Sequence, residues 1–222
     1  MEVLSKIQKD ILRMFGRFPD SGQFYLTGGT ALAHFYLRHR RSNDLDFFTA
    51  TPEIVNTFGH HVQTALEGNG IHVKWSRAMN SFVELVVSRE NESTIIQFAQ
   101  DAAFHLEAKN EFPDYPGLKV DSLVDIAANK LLALFGRAMP RDFVDVYFLV
   151  QKTGFAPQDL IANAQKKDPG FDLYWLGVAF ERIKIIGPSS PDILLLIEPL
   201  EFKELESFFE KWRQEIAAEL KP

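Results

Sequence analysis

Apolar positions in the first half of the chain switch between two periods. Leu4, Ile7, Ile11, Leu12 and Phe15 recur at three- and four-residue intervals, which predicts a helix ending near Gly16. Phe24-Tyr25-Leu26 is a short apolar run leading straight into Gly28-Gly29, and reads as a strand. The helical period resumes over 30–37, and 45–48 is a second short strand. Pro52 opens a helix over 52–67, and Asn69-Gly70 closes it. Strands are predicted at 71–75, 81–88 and 94–98, with the polar turn Arg89-Glu90-Asn91-Glu92 between the last two.

Beyond Phe112-Pro113-Asp114-Tyr115-Pro116-Gly117 the pattern becomes helical, over 121–135, 142–152, 157–165, 171–183 and 199–220. The expectation is an α+β fold, with an α/β unit over 1–105 and a helical unit over 106–222. The stretch 106–118 is the expected connector.

Composition narrows the class. The chain has 222 residues, 46% hydrophobic and 24% charged, as ordinary globular proteins do. Its 20 Phe predict an aromatic-filled core. There is no Cys, which removes disulfides, thiolate chemistry and Cys-based zinc sites. No secretory signal and no apolar run near 18 residues is seen, so a cytoplasmic protein without a membrane span is expected. The net charge of −6 argues against a protein that coats nucleic acid, yet allows an enzyme that touches one end of an RNA.

Two segments carry chemistry. In Leu26-Thr27-Gly28-Gly29-Thr30-Ala31-Leu32 a strand gives way at once to a helix. Glycines there let the backbone approach a phosphate, and a helix N-terminus aims free N–H groups at it. The plainer reading is a tight turn with Thr27 or Thr30 as the helix cap. In Asp44-Leu45-Asp46-Phe47-Phe48 the two carboxylates lie two apart on a strand, hence on one face. Side by side they repel, and a divalent cation relieves that. The plainer reading is a charged edge strand. One short helix separates the segments, so backbone amides and carboxylates are expected to converge, as nucleotidyl transfer requires.

Together, Gly28-Gly29-Thr30-Ala31-Leu32 and His39-Arg40-Arg41-Ser42-Asn43-Asp44-Leu45-Asp46-Phe47-Phe48 resemble the AbiEii/AbiGii toxin family of nucleotidyltransferases, in the polymerase-beta-like superfamily. Two later segments resemble the family's remaining motifs: Lys130 within Asp125-Ile126-Ala127-Ala128-Asn129-Lys130-Leu131, and Asp142 and Asp145 within 141–149. The resemblance covers about residues 24–150. It implies a polymerase-beta-like mixed sheet with flanking helices, followed by a helical half that completes the active-site cleft. It further implies Asp44 and Asp46 as Mg²⁺ (or Mn²⁺) ligands, and Asp44, Asp46, Lys130 and Asp142 as catalytic. Gly28, Gly29, Thr30, Arg40, Ser42, Lys130 and Asp145 are the implied nucleotide-binding residues. An NTP is the implied substrate, RNA such as the tRNA 3′ end the implied acceptor, with protein as a second possibility, and an antitoxin the implied partner.

Plainer readings stand beside several of these. Lys130 by itself is an ordinary solvated lysine. Asp142, after Pro140-Arg141, suits a helix N-terminus. Arg38-His39-Arg40-Arg41 suits either phosphate or a solvated helix end. The superfamily also places a third carboxylate on a later strand, where this chain has Gln97; Glu84 and Asp101 are the nearby substitutes. A neutral amide is a poor general base. The alternative is therefore a catalytically weak or inactive protein that binds nucleotide or antitoxin on the same fold.

Overall fold

The computed structural model describes residues 2–102 and 104–220. They form two compact units. One comprises the residues up to Tyr36 together with Arg41–Ser122; the other comprises Leu37–Arg40 together with the residues from Leu123 onward.

The first unit is built on strands β1 (Tyr25–Thr27), β2 (Asp44–Thr49), β3 (His72–Met79), β4 (Phe82–Arg89), β5 (Glu92–Gln100), β6 (Asn110–Glu111) and β7 (Lys119–Val120). They form one mixed sheet in the order β3-β4-β5-β2-β1-β7-β6. β2 runs parallel to β5 and β1 parallel to β7; the remaining pairs are antiparallel. The period of two in the sequence is realised directly. Leu45, Phe47 and Thr49 are buried, while Asp44, Asp46 and Phe48 alternate with them on the opposite face.

Helices α1 (Lys6–Phe15) and α3 (Ile54–Glu67) cover the apolar face. Phe15 stacks on Phe47 and Phe24 on Phe58, each with centroids 4.0 Å apart, and Phe58 meets Phe98 edge-on at 5.0 Å. These rings are fully or almost fully buried, so each contributes its apolar area and about 0.5–1.5 kcal/mol per ring pair beyond it. α1 starts with a capping box in which the Ser5 hydroxyl accepts the Gln8 N–H and the Gln8 side chain accepts the Ser5 N–H. Between β1 and β2 runs α2 (Gly28–Ala31), which continues as π-helix over Leu32–Leu37.

The second unit holds α4 (Leu123–Arg137), α5 (Pro140–Thr153), α6 (Pro157–Lys167), α7 (Leu173–Phe180) and α8 (Phe202–Glu219). Pro140 and Pro157 occupy first-turn positions, where the missing N–H costs nothing, and Gly154 ends α5 at φ 79°. Phe143, Phe180, Phe209 and Trp212 form its aromatic core. The segment Leu37–Arg40 is anchored here. The His39 carbonyl accepts N–H bonds from Ile197 and Glu198, and the Leu37 carbonyl accepts one from the Lys152 ammonium. Among the described residues, no helix is long and apolar enough to cross a membrane.

The α+β class and the mixed sheet with flanking helices are as expected, with differences in detail. Two-residue strands β6 and β7 fall within and just after the expected connector. Runs that short carry no readable period; the partner edge creates them. The helix expected from 30 begins at Gly28, and the helix expected over 171–183 leaves α-geometry after Phe180 for a 3₁₀ turn over Glu181–Ile185.

Candidate active site

In the first unit the Gly-Gly turn and the Asp pair are neighbours. Thr27 pairs with Asp46 across β1 and β2. Gly28 follows at φ +73°, the left-handed region that disfavours any Cβ. A Cβ built on Gly28 would lie 2.2 Å from Asp46 Oδ2. The Asp46 carboxylate thus occupies the space that only glycine leaves open. Neither threonine caps the helix. The Thr27 hydroxyl donates to Asp121 Oδ2 at 3.0 Å, and the Thr30 hydroxyl donates to the Asp44 carbonyl. That second bond ties the start of α2 to the start of β2.

Asp44 is held from its other side. Ser42 Oγ donates to Asp44 Oδ1 at 3.0 Å. Gln8 Nε2 donates to the Ser42 carbonyl at 2.9 Å, and Thr94 Oγ1 donates to the Asn43 carbonyl at 2.7 Å. A cavity of about 320 Å³ opens beside this loop, lined in part by Ser5, Gln8, Arg41, Ser42, Asn43 and Ser93. Val3 and Leu4 share that lining with the polar groups, so its character is mixed. β2 is an interior strand, between β5 and β1, so the edge-strand reading of Asp44 and Asp46 does not hold. Gly28, Gly29, Thr30, Ser42, Asp44 and Asp46 are therefore assembled within one unit.

The other unit assembles Lys130, Arg40 and Asp145. Asp145 on α5 is fully buried. Arg40 grips both its oxygens, Nε to Oδ1 at 2.6 Å and Nη2 to Oδ2 at 2.8 Å. Lys130 Nζ on α4 lies 2.8 Å from Oδ2, and His39 Nε2 lies 2.8 Å from Oδ1. Burial alone would raise the Asp145 carboxyl. The charges of Arg40 and Lys130, with hydrogen bonds from Arg40 and His39, outweigh it and hold the group well below the usual carboxylate range. His39 behaves oppositely. Burial lowers its imidazole, against the pull of Asp145, so the ring is neutral near pH 7. An ionised carboxylate only accepts, so Nε2 carries the ring proton.

These contacts correct the solvated readings of two cations. Lys130 is only 7% exposed and Arg40 only 3%. Arg38 and Arg41 are the exposed members of that basic run. Asp142 is buried on the first turn of α5 and does not join the Asp145 cluster in any hydrogen bond. Its oxygens accept Arg137 Nε and Nη2, at 2.9 and 2.8 Å, and the Met139 N–H at 3.1 Å. Two contributors went unread in the sequence. His39 stands in a basic run that suits either phosphate or a solvated helix end, and nothing local distinguishes a buried histidine. Gln8 was legible as the partner in the Ser5-x-x-Gln8 capping box, though its reach to Ser42 was not.

The family described as "Nucleotidyl transferase AbiEii toxin, Type IV TA system" matches residues 10–222. The chain belongs to the AbiEii nucleotidyl transferase toxin family. An uncharacterized protein of Aquifex aeolicus (strain VF5) is 26% identical over 211 residues, covering 95% of this chain and 96% of that protein. Among solved structures, a Helicobacter pylori protein assigned to the nucleotidyltransferases superposes with a TM-score of 0.63 at 21% identity, covering 98% of this chain and 97% of that one. MenT4, a nucleotidyltransferase toxin from Mycobacterium tuberculosis H37Rv, gives 0.59 at 20% identity, covering 97% and 82%. These likenesses show that the fold is that of nucleotidyltransferases. AbiEii membership makes the protein a nucleotidyltransferase of the toxin class, and it implies a nucleotide substrate and a cognate antitoxin.

Proposed function

We propose that this protein moves a nucleotide from an NTP onto a hydroxyl of RNA, with the 3′ end of tRNA as the acceptor class, and releases pyrophosphate. It would do so in the cytoplasm as the toxin of a toxin–antitoxin pair. The observation that carries the reading is the seating of the Asp46 carboxylate in the space left by Gly28, with Asp44 two residues away on the same face.

Asp44 and Asp46 are hard oxygen donors side by side on one strand, a set that suits Mg²⁺ or Mn²⁺. When bound, the cation would offset charge on the triphosphate and on the reacting phosphorus. The chain's own groups do the rest. Gly28 and Gly29 bring backbone close to the phosphates, and the Thr30 and Ser42 hydroxyls fix Asp44. Lys130 supplies the triphosphate with a point charge, as the family's helical motif implies. Asp145, fully buried and engaged by Arg40, Lys130 and His39, acts through Lys130 and Arg40 instead of touching the nucleotide. Asp142 with Arg137 sets the start of α5.

The test is transfer of label from each NTP, with Mg²⁺ and total tRNA. Transfer that disappears in Asp46→Ala, while the urea midpoint stays put, is the expected result. A second reading rests on Gln97, which replaces the superfamily's third carboxylate: a protein that binds NTP without transferring it. Tight NTP binding with no label on RNA or protein would decide for that reading.

A further inference from the structure

Five strands of the first unit each place one residue in a single row across the sheet. Register pairs Thr27 with Asp46, Asp46 with Gln97, Gln97 with Glu84, and Glu84 with Arg77. Paired residues project from the same face, so the row lies opposite the buried Phe47, Leu85 and Phe98. Neighbouring strands are about 4.8 Å apart, which puts Gln97 one step from Asp46 and Glu84 one step further. Asp101 does not belong to this row. It follows Gln100, which pairs with Thr49 beyond Asp46, and its carboxylate accepts the Tyr25 hydroxyl at 3.1 Å.

Gln97 Nε2 donates to Glu84 Oε2 at 2.8 Å. Arg77 Nε lies 3.9 Å from Glu84 Oε1 and is itself largely exposed. Hydrogen bonds from Ser76 and Gln97 lower the Glu84 carboxyl, against burial and with help from Arg77, so it is ionised at neutral pH. An ionised carboxylate has no proton to give. It can face only the amide's NH₂ end, and the carbonyl oxygen of Gln97 is the end turned away from it.

We propose that Gln97 is a catalytic residue whose amide oxygen accepts the hydrogen bond of the attacking acceptor hydroxyl, and that Glu84 is the positioning residue that locks the amide that way round. The inference rests on the transfer reaction proposed above. In that step the acceptor oxygen bonds to the α-phosphorus and the bond from phosphorus to the pyrophosphate oxygen breaks. Pyrophosphate leaves with the electron pair, and the hydroxyl proton passes to solvent water. The amide takes no proton; it aims the hydroxyl's lone pair at phosphorus. A row with Asp46, Gln97 and Glu84 thus does by orientation what a third carboxylate does by basicity.

The experiment compares wild type with Asp46→Ala, Gln97→Ala, Glu84→Ala and Glu84→Gln. The readouts are NTP-to-tRNA label transfer, equilibrium NTP binding and thermal melting. Gln97→Ala and Glu84→Ala are expected to lower kcat about tenfold or more, because misorienting a reacting group by 1 Å costs up to about 10²-fold. NTP affinity should stay within about twofold, since the lost contact concerns the acceptor. Glu84→Gln should fall between wild type and Glu84→Ala, because its amide can accept from Gln97 through oxygen or donate to it through nitrogen, so the lock is only half kept. Full activity in Gln97→Ala or Glu84→Ala would overturn the inference, while loss confined to Asp46→Ala leaves the transfer reading standing. Wild type with no transfer removes both.

Discussion

Replacing Asp145 by Asn is the sharpest test of the buried cluster. The side chain keeps its shape but loses the charge that faces Arg40 and Lys130. Four contacts of 2.6 to 2.8 Å converge on this carboxylate, and its surroundings exclude water almost completely. Removing one partner of such a pair strands the others, at about 3–5 kcal/mol. Lys130 can relieve its share by losing a proton. Arg40 cannot, so a substantial cost remains. Against a total stability of about 5–15 kcal/mol, this takes much of the margin. Urea unfolding followed by fluorescence would measure it, since Trp212 is buried in the same unit. The midpoint should fall sharply with an unchanged slope, the mark of altered stability and not of altered compactness. Adding Lys130→Met should recover part of the loss by removing one stranded cation. A cost under about 1 kcal/mol for Asp145→Asn would refute the argument that desolvated charge decides this cluster.

Acidification gives a second test. His39 has its pKa lowered by burial, so below about pH 6.5 the unfolded chain binds a proton that the folded chain does not. Stability should therefore fall as pH drops from 7 toward 5 in urea titrations, and the fall should shrink in His39→Asn. Asp145 works in a lower window. Its carboxyl is held down, so its contribution is complete above the ordinary carboxylate pKa and is lost only as pH falls through the depressed folded value. Gly28→Ala should cost about 1–2 kcal/mol from left-handed backbone alone, and transfer should fall far more, because the new methyl displaces Asp46; normal activity in this variant would show that Asp46 can move without harm. Asp142→Ala should cost about 1–2 kcal/mol, chiefly the lost cap on α5, since Arg137 is half-exposed and its ion pair is screened; a far larger loss of transfer than of stability would mean that Asp142 has a direct role.

What the sequence determined by itself was whatever follows from neighbours in the chain. The period of two in Asp44-Leu45-Asp46-Phe47 put both carboxylates on one face, and the period of 3.6 announced α1, α3 and the helices after residue 121. Gly28-Gly29 announced a backbone that only glycine permits, and the four motifs in order announced the family. What it left open was whatever depends on residues far apart. Asp44-Leu45-Asp46 reads equally well as an edge strand until β5 and β1 are seen on either side. Lys130, Arg40 and Asp145 lie up to 105 positions apart, so no local pattern could show that two apparent surface cations share one buried carboxylate. Gln97 looked like a missing acid until the sheet register set it between Asp46 and Glu84. Local periodicity fixes which way a side chain points. Only the packed chain decides what stands opposite it, and desolvation then decides whether a charge is a solvated ornament or a fixed part of the site.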